Sequence, residues 1–143
     1  MDNVKQKRLL DLPAHGVWSA ALTPLTPDLS IDYAGLLNYA NLLLKGGCHG
    51  IGLFGTTGEA NSFALEERMR GLESLLKGGI SPTSIMVGTG CCALPDTVTL
   101  TQHALNHGVH KILLLPPFYY KNVSEEGIVN YYRYIIEGVG END

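Results

Sequence analysis

Charge is sparse in this sequence and nowhere clustered. Asp, Glu, Lys and Arg make up 17% of the 143 residues, and the net charge of -4 comes from acids and bases scattered along the chain. No basic block resembles a nucleic-acid footprint, so no DNA or RNA partner is expected. Long hydrophobic runs are also missing. The opening MDNVKQKRLLDLPAHG carries basic residues, but no apolar segment of signal-peptide length follows it, and no later stretch approaches a membrane span. The expected location is the cytoplasm, with no membrane partner. Cysteine is scarce: Cys48, Cys91 and Cys92 are odd in number, lack metal-ligand spacing and include an adjacent pair that would bridge only with strain. They read as free thiols. His103 and His107 stand four apart on a helix-like stretch, but the glutamate of an HExxH motif and a third ligand are lacking. No metal and no cofactor is expected. A Walker loop, a GxGxxG fingerprint, a nucleophile elbow and a glycosidase-like carboxylate pair are all absent.

What is present is an ample apolar fraction, 45%, in a chain long enough for one compact domain over residues 1–143, with residues 1–15 as an N-terminal extension. GVWSAAL (16–22) is short, apolar and followed by the turn-like TPLTPDLS, as expected of a buried strand entering a loop. From Asp32, Leu36, Leu37, Ala40, Leu43 and Leu44 recur at helical spacing until Gly46 and Gly47 stop the pattern. CHGIGLF then reads as a strand. ALEERMRGLESLLKGG reads as a helix with Leu65, Met69, Leu72, Leu75 and Leu76 on one face, ended by the same glycine pair. SIMVGTG, PDTVTLTQHALNHG, VHKILLLPP and SEEGIVNYYRYIIEGVG continue the alternation, and Ser124 and Glu126 suit a helix start.

The class is therefore α/β, with about four βα units. Apolar stretches such as Ile112 to Leu115 imply strands buried on both faces and paired in parallel. A repeat of roughly thirty residues fits a (β/α)8 TIM barrel, of which four units are half. Such a half leaves its first and last strands as open edges. The tail GVGEND stops where a full barrel would enter a fifth strand, so the chain is expected to be part of a longer protein. The alternative is a small flavodoxin-like sheet, complete in four or five strands.

In parallel α/β folds ligands sit where strands end. At GTTGEANS, Gly55 and Gly58 permit tight backbone geometry, and consecutive N–H groups with the hydroxyls of Thr56 and Thr57 can converge on a carboxylate or phosphate. The same residues also suit a plain turn in which threonines satisfy loop backbone. PPFYYKNVS sets Phe118, Tyr119 and Tyr120 at the same end of the sheet, where aromatics serve either a site or an interface. Lys121 beside them reads as solvated.

Taken together, AALTP, GLFGTTGEANSF, VGTG, and LLPPFYYK followed by SEEG span about residues 16 to 137 in an order that resembles the N-terminal half of the dihydrodipicolinate synthase and N-acetylneuraminate lyase family of class I aldolases. The resemblance implies the N-terminal half of a (β/α)8 TIM barrel and a pyruvate-type substrate, a small 2-keto acid held as a Schiff base on a lysine of the sixth strand. That lysine and a proton-shuttling tyrosine of the fifth strand would lie beyond Asp143. It further implies that Gly55, Thr56 and Thr57 bind the keto acid's carboxylate, that Thr56 joins a proton relay, and that Tyr119 or Tyr120 reaches across the interface of a homo-oligomer, a dimer or tetramer, into a neighbouring site. Aligning on Pro117 selects Tyr119, and aligning on Ser124 to Gly127 selects Tyr120. Without the lysine, the second expectation is a self-contained anion-binding α/β module or regulatory fragment with no catalytic activity.

Overall fold

A carboxylate opens the first helix and a glycine pair closes it. In the computed structural model, which describes residues 16–140, the side chain of Asp32 accepts the N–H of Gly35 at 2.8 Å and caps helix α1 (Tyr33–Lys45). Gly46 and Gly47 then take the terminal carbonyls of Leu42 and Leu44, with Gly47 at φ +99°, a left-handed conformation that glycine adopts without steric cost. Helix α2 (Leu65–Lys77) repeats the design: Glu67 reaches back to the N–H of Ala64 at 2.8 Å, and Gly79 closes the end at φ +89°. Helices α3 (Leu94–Asn106) and α4 (Glu125–Val139) are the other two α-helices among the described residues. Ser124 caps α4 by accepting from Gly127, as its position before two glutamates implies. The expected extension over residues 1–15 lies outside the described residues.

Four strands alternate with these helices: β1 (Trp18–Ala20), β2 (Gly50–Leu53), β3 (Ile85–Gly88) and β4 (Lys111–Leu113). They pair in parallel in the order β1-β2-β3-β4. Each strand lies beside its predecessor with no reversal of order, which is how a (β/α)8 barrel is wound. A flavodoxin-like sheet requires its second strand outside the first, so that alternative is excluded.

The register assigns the two faces, because paired residues of parallel strands share a face and successive residues alternate. Ile51, Leu53, Ile85 and Val87 point one way and are buried with Leu36, Ala40, Leu72, Leu75 and Ala104 of the helices. Neighbouring helices also pack on one another in chain order. The opposite face presents Trp18, Ala20, Gly52, Met86, Lys111 and Leu113. It carries no helix among the described residues. Only at its lower end is it partly covered, where the Trp18 ring lies across Gly50 and sits 5.2 Å from the ammonium of Lys111.

Two expectations are corrected here. The stretch 16–22 is not a fully buried strand: three of its residues pair, and Val17 and Leu22 are 63% and 53% exposed. Nor is β4 with its following residues buried on both faces, since Leu113 and Leu115 are 39% and 42% exposed. The cause is the same in both places. An edge strand has a neighbour on one side only, and the described helices cover one face of this sheet only. The three cysteines are unpaired as expected. No described helix is long and apolar enough to cross a membrane.

Candidate functional site

The chain leaves β2 through a backbone kink that sequence alone did not disclose. Phe54, almost wholly buried, has φ +53°, unusual for a residue with a bulky side chain. Its ring packs over Gly71 of α2 and against Phe63, so burial of the aromatic group holds the strained backbone in place. The kink turns residues 55–59 across the carboxyl ends of the strands. A tight turn follows, with Glu59 donating to the carbonyl of Thr56. Thr23, from the loop after β1, donates its hydroxyl to the carbonyl of Gly58 at 2.7 Å. Gly58 is required by that closeness: a Cβ there would lie 2.9 Å from the carbonyl oxygen of Ala21.

The result is a loop clamped at both ends with its donors unspent. Among the described residues, no protein acceptor takes the N–H of Thr56 or Thr57, and neither hydroxyl is engaged. Both threonines are exposed. Gly55 and Thr56 border an open depression shared with Asn61, Gly88, Gly90 and Leu113. Thr57 does not line it. The depression exists because β3 ends in glycine: a Cβ on Gly88 would fall 2.1 Å from the carbonyl oxygen of Phe54.

A cation lies beneath this end of the sheet. Arg68 of α2 is 4% exposed, donates to the carbonyl of Gly88 at 2.8 Å and approaches the Cys91 sulfur at 3.3 Å, while its Nε finds no partner. No carboxylate pairs with it among the described residues. Arg68 thus places a buried positive charge against Gly88, a residue that borders the depression, and is a source of positive potential at this end of the sheet. Arg68 is not conspicuous in the sequence, because a charged residue within an amphipathic helix reads as solvated. The available signal was its place one turn before Leu72, on the buried stripe.

The aromatic loop after β4 stands apart from the threonines. Tyr119 and Tyr120 are 75% and 61% exposed and meet edge to face, with ring centroids 5.6 Å apart. Neither borders the depression. Lys121 is exposed, as expected, and reaches only the carbonyl of Phe118. Two other tyrosines fasten α4 to the ligand end of the sheet. Tyr131 donates to the carbonyl of Cys91 at 3.0 Å and shares a hydrogen bond with the Thr97 hydroxyl at 2.9 Å; Tyr132 donates to the carbonyl of Leu114. Burial pushes the Tyr131 phenol above its ordinary pKa, with the Thr97 hydrogen bond partly opposing the shift.

Sequential parallel βα units, with a clamped donor loop at the carboxyl end of the second strand, define the class as a (β/α)8 barrel protein of which this chain carries four units. The profile of the dihydrodipicolinate synthetase family matches residues 13–143. The chain belongs to that family. It is 42% identical over 125 residues, or 87% of its length, to an uncharacterized DapA-like lyase of Chloroflexus aurantiacus. Among solved structures it is similar to dihydrodipicolinate synthase from Agrobacterium tumefaciens, with a TM-score of 0.85 and 35% identity over 88% of the chain. It is also similar to YagE from E. coli, a family protein determined in complex with pyruvate, with a TM-score of 0.81 and 27% identity over 89% of the chain. The chain spans 42 to 44% of the length of these three proteins.

Proposed function

We propose that this chain supplies the carboxylate-binding half of a class I aldolase, lyase or synthase acting on pyruvate or a related 2-keto acid. The observation that carries the proposal is the loop at Gly55 to Gly58, in which the N–H groups and hydroxyls of the exposed Thr56 and Thr57 have no protein partner among the described residues. Such donors suit a planar carboxylate, and the family relative holding pyruvate supports that choice of anion. In this proposal Gly55, Thr56 and Thr57 bind the carboxylate and fix the ketone's orientation, and Thr56 hands a proton on through its hydroxyl.

The bond-making group is a lysine amine on the sixth strand, which four βα units do not include. The amine nitrogen attacks the ketone carbon, the former carbonyl oxygen leaves as water, and the resulting iminium withdraws electrons from the adjacent carbon while a bond there is made or broken. Tyr119 or Tyr120 acts in the neighbouring subunit of a dimer or tetramer. The exposure of both rings is what an interface needs, since burying a large side chain contributes about 1.5–3 kcal/mol. Residues 1–143 as the N-terminal part of a single TIM-barrel domain, and a cytoplasmic location, complete the proposal.

Borohydride trapping tests it. With pyruvate present, hydride reduction of the iminium should leave a stable secondary amine on a version of the protein that carries all eight units, and none on residues 1–143. An adduct on Lys121 would overturn the assignment of the nucleophile. No adduct on the eight-unit protein would overturn the reaction class.

A further inference from the structure

By sequence spacing His103 and His107 lack a third ligand, and the fold supplies one. Glu73 comes from α2, thirty residues earlier, and its Oε1 lies 3.1 Å from Nε2 of His103. The two imidazole centroids are 4.3 Å apart, and one ligand atom from each of the three residues lies within 4.8 Å of the others. The tautomer of His107 is also set. Its Nδ1 lies 2.8 Å from the carbonyl oxygen of His103, which can only accept, so in the neutral ring Nδ1 carries the proton and Nε2 is the nitrogen left to coordinate. Orienting one ring nitrogen through a hydrogen bond on the other is how metal-binding histidines are held. His103 is itself confined between α2 and α3, with its side chain 16% exposed.

We propose that Glu73, His103 and His107 form a binding site for a zinc-class divalent transition metal ion, bridging α2 and α3. Two imidazoles and a carboxylate suit such an ion, with water as the fourth ligand. Binding needs small side-chain rotations to bring each donor to about 2.0–2.2 Å from the metal. The ion displaces the proton shared between His103 and Glu73 and competes with Lys77 for the carboxylate, since Lys77 Nζ lies 3.2 Å from Glu73 Oε2. The site sits toward the carboxyl end of α3, hence at the opposite end of the strands from the threonine loop. It therefore clamps two helices and takes no part in keto-acid chemistry.

Cobalt(II) titration of the 143-residue chain, followed in the visible spectrum and then displaced by zinc(II), tests the site alongside thermal melts. One cobalt ion should bind per chain, with ligand-field bands and no thiolate charge-transfer band, and zinc(II) should raise the melting temperature. His107→Ala and Glu73→Gln should each weaken cobalt binding by about tenfold or more and remove the zinc-dependent rise. Neither side chain is buried, so the fold should survive both changes. His110→Ala, at an exposed histidine outside the trio, should alter neither. Absence of binding, a thiolate band abolished by Cys91→Ser or Cys92→Ser, an equal loss in His110→Ala, or undiminished affinity in either trio variant would overturn the proposal.

Discussion

Ile112 and Leu113 are neighbours in sequence and similar in chemistry, yet they sit on opposite faces of the sheet. Ile112 packs against the helical core, whereas Leu113 is 39% exposed. The same division separates Ile51 and Ile85 from Ala20 and Met86. An apolar parallel strand specifies two burials, and four βα units satisfy one of them. In an eight-unit barrel the inner face is filled by layers of side chains drawn from alternate strands. The open face here is thus a surface shaped for strands that these four units do not provide.

The contrast is sharpened most by cutting one large residue on each face. Leu75→Ala removes a side chain with no exposed surface from the covered side and should cost about 2–5 kcal/mol in urea unfolding. Leu113→Ala on the open side should cost less than about 1 kcal/mol, as expected of a partly solvated site. Equal losses would show that something covers the inner face in solution, and a loss at Leu113 that grows with protein concentration would identify a second copy as the cover.

Glycines on the open face divide further. Gly88→Ala would set a Cβ 2.1 Å from the Phe54 carbonyl, so β2 and β3 must part; the expected cost is about 1–3 kcal/mol, together with faster amide exchange in the threonine loop. Gly52→Ala meets nothing closer than the Ser19 carbonyl at 3.6 Å and should stabilise by about 0.4–1 kcal/mol, by restricting the unfolded chain. If both variants lose stability equally, the close approach that shapes the depression is not what Gly88 provides.

Much of this was legible beforehand because it is local. Asp32 before an apolar stripe, glycine pairs after two such stripes, and GTTGEANS after CHGIGLF each specify their own few residues, and the alternation of the elements carries the α/β class. What stayed hidden depends on pairs far apart. Arg68 is buried because it reaches Gly88, twenty residues on. His103 meets Glu73 across two helices. The exposure of Leu113 depends on what packs over it, which an apolar run cannot encode. The kink at Phe54 was masked by its side chain, since a phenylalanine ending a strand reads as core, and it is core with an unusual backbone.

A pH-dependent effect marks how the covered face is closed at its last helix. Tyr131 of α4 makes hydrogen bonds to Thr97 and to the Cys91 carbonyl, and both partners keep a bond if it is lost: Thr97 still takes the Cys91 N–H and can turn its one hydroxyl proton to the Cys91 carbonyl at 3.3 Å, while the Ala93 carbonyl keeps the N–H of Thr97. Tyr131→Phe should therefore cost about 0.5–1.5 kcal/mol, without the added cost of an orphaned group. The pH dependence separates this hydroxyl from simple packing. Burial raises the folded-state pKa of Tyr131 above the ordinary phenol value of about 10, with the Thr97 hydrogen bond partly opposing the rise. Between the unfolded and folded values the unfolded chain releases the proton first, so the folded state holds more protons and stability falls as pH rises. The stabilisation is complete below about pH 10 and is lost as pH climbs from there through the folded value. Unfolding free energies measured on either side of that point should decline less steeply in Tyr131→Phe than in the parent chain. Identical slopes would mean that the phenol ionises as freely in the folded chain as in the unfolded one, and that the seam between α3 and α4 is open to water.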